Sequence, residues 1–197
     1  MADLAKDNMP VDPIGWSTPA ASTTPPKMKP SSSSSPAQVI ARLLPLSNVM
    51  LDLDLSSKRR VFDEAGLLFQ NHQGIARATV FDSLFARERL GSTGLGQGVA
   101  IPHGRIVKLN APVGAFLRLK EAIPFEAPDA KPVNLLFFVL VPEKATDTHL
   151  QILASLAEMF ADTSMRSALA SLPDAADVHR ALTNFNTDAT SHAQSAI

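Results

Sequence analysis

Cysteine is absent from the 197-residue chain. Without cysteine the protein cannot hold a disulfide framework, a cysteine-based zinc site or a catalytic thiol. A marked excess of either charge is also missing, because 18 lysines and arginines stand against 19 aspartates and glutamates. This balance gives no indication of a surface for nucleic acid or for anionic membranes.

No apolar stretch is long enough to span a membrane. The longest strongly apolar run covers residues 133–141, about half of the ~20 residues that a spanning helix needs. The first ten residues carry Asp3, Lys6 and Asp7 and lack an apolar core, so we predict no secretory signal. We therefore expect a cytoplasmic protein without membrane insertion.

The composition changes sharply near Ala37. Seven of the 15 prolines and the serine run 31–35 precede this point, whereas hydrophobic residues make up 45% of the whole chain. Proline removes hydrogen-bond donors and serine buries little surface, so ordering such a segment is not offset by burial. We predict a disordered tail at 1–36, one domain at 37–188 and a frayed C-terminus at 189–197.

After Ala37 the hydrophobic period alternates between that of helices and that of strands. Strands are expected near 49–55, 99–101, 113–119 and 133–141. Helices are expected at 39–44, at 61–69 behind a serine cap at 56 or 57, from about 77 with Gly91 as the C′ residue, and at about 147–161, 164–171 and 174–185. The run 133–141 is apolar on both faces, as in a central strand covered on both sides. The pattern favours an α/β fold, a sheet with helices on both faces.

Five of the nine glycines, at positions 91, 94, 96, 98 and 104, fall within fourteen residues. Glycine reaches positive φ and lets the backbone approach a ligand, so such a loop can direct N–H groups at an anion. The spacing fits neither a Walker motif nor a dinucleotide fingerprint. A tight loop without a ligand is the alternative interpretation.

His103 gives the glycine cluster a chemical context. We expect it to end a strand, held by Pro102 and left open on one flank by Gly104, as an exposed reactive imidazole. His149 follows Thr148, the predicted N-cap, and so lies in the first turn of a helix, where it can donate to a phosphoryl oxygen or orient His103.

Arg87 continues the apolar line of Val80 and Leu84 on one helix face. Arginine pairs with phosphate in a fork geometry; a side chain that only snorkels along apolar surface is the alternative. The three residues predict an anion site with a nucleophilic imidazole. Three spaced metal ligands, an HExxH motif and a Gly-x-Ser-x-Gly elbow are not present, so we predict no metal site, no cofactor and no serine hydrolase.

The segments 87–96 and 98–104 resemble the signature of the fructose/mannitol-type IIA proteins of the bacterial phosphotransferase system. They look closest to its nitrogen-regulatory branch. Residues 132–136 and 148–150 also match, and the similarity covers roughly residues 38–186.

The resemblance implies a single α/β domain with a mixed sheet between helices. It implies a regulatory phosphocarrier, of the transferase class rather than a multi-turnover enzyme, in which His103 is phosphorylated by an HPr-like carrier. His149 and Arg87 match the supporting histidine and arginine. The expected phosphate-binding loop comprises Gly91, Ser92, Thr93, Gly94, Gly96 and Gly104.

Partners of such proteins include potassium-transport and sensor-kinase proteins. Two alternatives stay open, a sugar-permease IIA that passes its phosphate to a IIB domain, and an anion-sensing binding module that is never phosphorylated.

Overall fold

The computed structural model describes residues 36–144 and 147–185. Apart from Pro36, the predicted tail at 1–36 and the predicted C-terminus at 189–197 lie outside these residues. The helices are α1 (Pro36–Leu43), α2 (Lys58–Gln73), α3 (Arg77–Glu88), α4 (Asp147–Ala161), α5 (Thr163–Ser171) and α6 (Ala175–Thr183), with a 3-10 turn at Leu46–Asn48. The strands are β1 (Val49–Leu53), β2 (Gly94–Gly96), β3 (Val99–Ala100), β4 (His103–Ile106), β5 (Val113–Ile123) and β6 (Val133–Pro142).

The six strands form one mixed sheet in the order β1-β5-β6-β3-β2, with β4 also paired to β6. β1 is parallel to β5, and β3 and β4 are parallel to β6, whereas the β5–β6 and β2–β3 pairs are antiparallel. Val99 faces Leu135 and His103 faces Val139, so β3 and β4 continue one line of pairing along β6. The predicted central strand is confirmed, because β6 is paired on both sides.

Alternate residues of β6 enter two separate hydrophobic clusters. Phe137 and Val139 pack with residues of α1, α4, α5 and α6, whereas Phe138 and Leu140 pack with residues of α2 and α3. Burying each of these side chains contributes about 1.5–3 kcal/mol relative to exposure. Helices therefore cover both faces of the sheet, as the sequence predicts.

The ends of α2 follow local sequence. Ser57, one of the two predicted caps, accepts the N–H of Arg60 on its hydroxyl (3.4 Å). Gly74 ends the helix in the left-handed conformation with φ 68°. This glycine fits because it lacks the Cβ that penalises that conformation.

Two predicted helix ends are wrong. Helix α3 stops at Glu88 and Arg89 is its right-handed C-cap, so Gly91 is not the C′ residue. One further turn intervenes, in which the Gly91 N–H donates to the Glu88 carbonyl (3.1 Å). Helix α4 already includes Asp147, so Thr148 lies inside the helix and is not its N-cap.

Candidate functional site

His103 is the first residue of β4, directly after Pro102. The sequence places it at the end of a strand, and that detail is wrong, because β3 stops at Ala100. Residues 101 and 102 interrupt the strand, although the Pro102 carbonyl still accepts the Val139 N–H (3.0 Å). The interruption therefore sets His103 at the start of a new segment that remains anchored to the central strand.

Gly104 does not leave an open flank. A Cβ built at this position would lie 2.5 Å from Ser83 Oγ on α3. The same hydroxyl donates to the Arg105 carbonyl (2.8 Å). Helix α3 thus packs directly against β4, and a glycine is needed there because any side chain would collide with the helix.

The hydrogen bonds of His103 define its tautomer. Nδ1 lies 2.9 Å from the Ile101 carbonyl oxygen, which can only accept, so Nδ1 carries the proton. Nε2 is left with its lone pair, which accepts the Nε–H of Arg87 (2.9 Å). Burial lowers the pKa of His103 below the ordinary histidine value, and the Arg87 charge lowers it further. The neutral ring is therefore favoured, with the available lone pair on Nε2.

His149 lies on the first turn of α4 beside His103. The ring centroids are 5.1 Å apart and the planes meet at 64°. Burial is the largest cause that lowers the pKa of His149, followed by the charges of His103 and Arg105. Within the described ranges its Nε2 is one of two buried side-chain polar atoms without a hydrogen-bond partner. Leaving such an atom unpaired costs about 1–3 kcal/mol, which a ligand able to hydrogen-bond would offset.

Arg87 extends from the last turn of α3 to the histidine pair. Its Nε–H donates to His103, and its Nη1 donates to the Gly91 carbonyl (3.0 Å). The guanidinium is therefore oriented by two acceptors rather than lying along apolar surface. The structure brings together the three predicted residues His103, His149 and Arg87.

The glycine segment forms a β-hairpin rather than an open loop. β2 and β3 pair across a turn in which Gln97 has φ 54° and Gly98 has φ 80°. The Gln97 N–H donates to Oδ2 of Asp129 (2.8 Å), and Gly96 approaches the same carboxylate. Sequence periodicity predicts only the second of these strands, because a three-residue strand with two glycines has no hydrophobic alternation.

The loop residues expected around the phosphate make hydrogen bonds within the protein. Ser92 Oγ donates to the Phe125 carbonyl (2.6 Å) and accepts the Gly94 N–H (3.2 Å). The N–H and the hydroxyl of Thr93 both donate to Glu88. These groups are already paired in this conformation, whereas His103, His149 and Arg87 face one another.

Glu88 is a buried carboxylate that the sequence analysis missed. Its Oε1 accepts from Lys58 Nζ (2.8 Å), and Oε2 accepts the Thr93 N–H (3.0 Å). The spacing in the sequence could have predicted its burial, because Val80, Leu84 and Glu88 follow one another at intervals of four residues. All three are buried in the structure. A carboxylate on the buried face of a helix indicates that a cation or a hydrogen-bond donor is paired with it.

Among the residues that the structure describes, no group of three or more His, Asp or Glu side chains is placed to hold a metal ion. Helices long and apolar enough to cross a bilayer are likewise not found there.

Comparisons with known proteins identify the family of the chain. The family model for EIIA 2 of the phosphoenolpyruvate-dependent sugar phosphotransferase system matches residues 42–185. A nitrogen regulatory protein of Pseudomonas aeruginosa is 39% identical over 137 residues, which are 69% of this chain and 89% of that protein.

Solved structures share the fold. The crystal structure of nitrogen regulatory protein IIA-Ntr from Neisseria meningitidis aligns with a TM-score of 0.71 at 50% identity, over 74% of this chain and 99% of that one. IIA mannitol from Escherichia coli aligns with a TM-score of 0.60 at 21% identity, over 70% and 97%, and at this identity it shows the fold alone. The chain therefore belongs to the EIIA type-2 family of the phosphoenolpyruvate-dependent sugar phosphotransferase system.

Proposed function

We propose that the protein is a regulatory phosphocarrier that accepts a phosphoryl group on Nε2 of His103 from the phosphohistidine of an HPr-like carrier. One observation supports this most directly. Nε2 of His103 accepts a hydrogen bond from the Arg87 guanidinium, and the ring of His149, whose own Nε2 has no partner, lies beside the His103 ring. The nitrogen-regulatory names of the relatives favour the regulatory role over sugar transport.

The reaction forms a bond between His103 Nε2 and phosphorus while the bond from phosphorus to the donor imidazole breaks. The donor nitrogen keeps the electron pair of the broken bond. As the His103 ring gains positive character, its Nδ1–H donates more strongly to the Ile101 carbonyl. Phosphoryl transfer passes through a loose transition state, so positioning and charge stabilisation dominate the rate.

The guanidinium of Arg87 must give up its hydrogen bond to Nε2 when phosphorus arrives. The released Nε–H and an N–H of Nη2 then form a planar fork that can donate two charge-assisted bonds to the incoming oxygens. His149 can donate from Nε2 in the tautomer that is protonated there. Its place in the first turn of α4 adds the helix dipole, which favours an anion.

Two exposed leucines, called the apolar rim below, are chain neighbours of Gly91 and His149. Leu90 is 85% exposed and precedes Gly91, whereas Leu150 is 66% exposed and follows His149. Phosphorylation adds about −1.5 to −2 charges beside this rim. A target that covers the rim would have to desolvate that charge, so targets such as potassium-transport or sensor-kinase proteins would distinguish the two forms.

The test is incubation with phosphoenolpyruvate, enzyme I and an HPr-like carrier, followed by intact-mass measurement. We expect one acid-labile, alkali-stable phosphate per chain, and none on His103→Ala. Complete absence of uptake would instead favour an anion-sensing module. Onward transfer from the phosphorylated protein to a IIB domain would favour a sugar-permease IIA.

A further inference from the structure

A buried chain of hydrogen bonds leads from an ion pair to the reactive imidazole. It begins at Lys58 and passes through Glu88 to Thr93. The Thr93 carbonyl then accepts the Ile101 N–H (3.0 Å), and the Ile101 carbonyl accepts Nδ1–H of His103 (2.9 Å). Lys58 belongs to α2 and Glu88 to α3, whereas Thr93 and Ile101 flank the β2–β3 hairpin. These hydrogen bonds therefore connect two helices and the hairpin to His103.

We infer that Glu88 is a positioning residue, which holds the Ile101 carbonyl where it keeps the His103 proton on Nδ1 and the lone pair on Nε2. This inference deepens the proposed function and rests on it. Only that tautomer presents a lone pair toward Arg87 and the incoming phosphorus. Glu88 itself touches neither His103 nor the reacting atoms.

The role requires a carboxylate because both oxygens face donors. Oε1 faces the Lys58 ammonium and Oε2 faces the N–H and the hydroxyl of Thr93. A glutamine offers one acceptor and one NH2 group, so one of these partners would meet a donor. Glu88 is only 8% exposed, and water cannot readily repair such a mismatch.

A second carboxylate beside Lys58 provides a matched control variant. Lys58 binds a second carboxylate, Glu126, whose Oε2 lies 3.1 Å from Nζ. Glu126 is exposed, and no hydrogen bond connects it to Thr93 among the described residues. Glu126→Gln therefore removes a charge from the same lysine and leaves the link to the hairpin intact.

The tautomer is measured by two-bond 1H–15N correlation spectra of histidine-labelled protein above the pKa of His103. The His103 signals are assigned by their disappearance in His103→Gln. In the wild type and in Glu126→Gln we expect a protonated Nδ1 and an unprotonated Nε2. In Glu88→Gln and in Thr93→Val we expect averaged shifts, which report a mixture of tautomers, and Thr93→Ser should restore the wild-type pattern.

The same variants are followed in phosphate acceptance by rapid quench. Glu88→Gln and Thr93→Val should slow acceptance by about tenfold or more, since small misplacements of reacting groups have effects up to about a hundredfold. Thr93→Val, which removes the hydroxyl donor to Glu88 and keeps the backbone N–H, tests the link if Glu88→Gln fails to fold. An unchanged tautomer in both variants would overturn the inference, whatever happens to the rate.

The two measurements separate this inference from the proposed function. A shifted tautomer in a protein whose wild type takes up no phosphate would retain Glu88 as a positioning residue and reject the phosphocarrier. Normal phosphate uptake with the same tautomer in all variants would support the phosphocarrier and reject Glu88 as a positioning residue.

Discussion

The β2–β3 hairpin leads directly to His103, but the hairpin and the pair of His103 and His149 satisfy their polar groups in opposite ways. In the hairpin segment the amides of Thr93, Gly94 and Gln97 each donate to a protein oxygen. At the histidine pair, Nε2 of His149 has no partner and Nε2 of His103 has one that must leave. Glycine density therefore marks close packing here, whereas incomplete hydrogen bonding marks the proposed phosphate site.

The largest expected effect concerns the nucleophile. His103→Ala should abolish phosphate uptake completely, because no other described side chain presents a lone pair to Arg87. The melting temperature should change by no more than a few degrees, as the half-buried ring makes few core contacts. Intact mass and a thermal melt measure both quantities. Phosphate uptake by this variant would show that a residue other than His103 is phosphorylated.

Substitution of Arg87 should have the second-largest effect. Removing one preorganised electrostatic donor costs about 10²–10³ in rate, so Arg87→Ala should slow transfer by about a hundredfold. Arg87→Lys keeps the charge but loses the planar two-point contact with the phosphoryl group, and we expect about a tenfold loss. Rapid-quench transfer from a labelled carrier gives the rates. Wild-type rates in both variants would leave Arg87 with a packing role only.

A hairpin substitution should act on stability instead. A Cβ on Gly94 would lie 2.8 Å from the Ala127 Cβ, and such overpacking typically costs about 1–3 kcal/mol. Urea titration should show this loss in Gly94→Ala, and adding Ala127→Gly should recover part of it. The rate per folded molecule should stay close to that of the wild type. A tenfold fall in a folded variant would instead show that the position of β2 itself, beyond the Thr93–Ile101 hydrogen bond, is needed for the reaction.

The smallest effect is on the pH dependence. Burial lowers the pKa of both His103 and His149, so the unfolded chain takes up protons first as the pH falls. Their contribution to stability is complete above the ordinary value of about 6.5. It is lost as the pH falls from there through the lower folded values. NMR titration should give both shifts, and His103→Gln with His149→Gln should flatten the stability curve. Histidine signals that titrate above 6.5 would contradict this.

Regular elements with a clear hydrophobic period were predictable from sequence. The central strand β6 and helix α4 follow from the apolar run 133–141 and from the helical spacing of 147–161. The three site residues were also named, since His103 and Arg87 flank a distinctive glycine segment. These features depend on local residue order, which a sequence displays directly.

Features that depend on distant contacts were not predictable. The flank of Gly104 looks open in sequence but is filled by Ser83, which is 21 residues earlier. The pairing of Glu88 with Lys58 joins two helices, and no periodicity reports it. The predicted end of α3 was wrong because Gly91 lies in a separate turn that follows the helix, where its N–H donates to the Glu88 carbonyl.

The burial of β6 between two neighbours has a consequence for the chain before it folds. Residues 133–141 carry no charge and are rich in β-formers, the type of segment that pairs between unfolded chains and seeds aggregates. Lys131 and Pro132 precede the segment, and Pro142 and Glu143 follow it. Charges and prolines at these borders oppose intermolecular strand pairing. They therefore reduce aggregation of the segment until β6 has paired with its neighbours in the folded sheet.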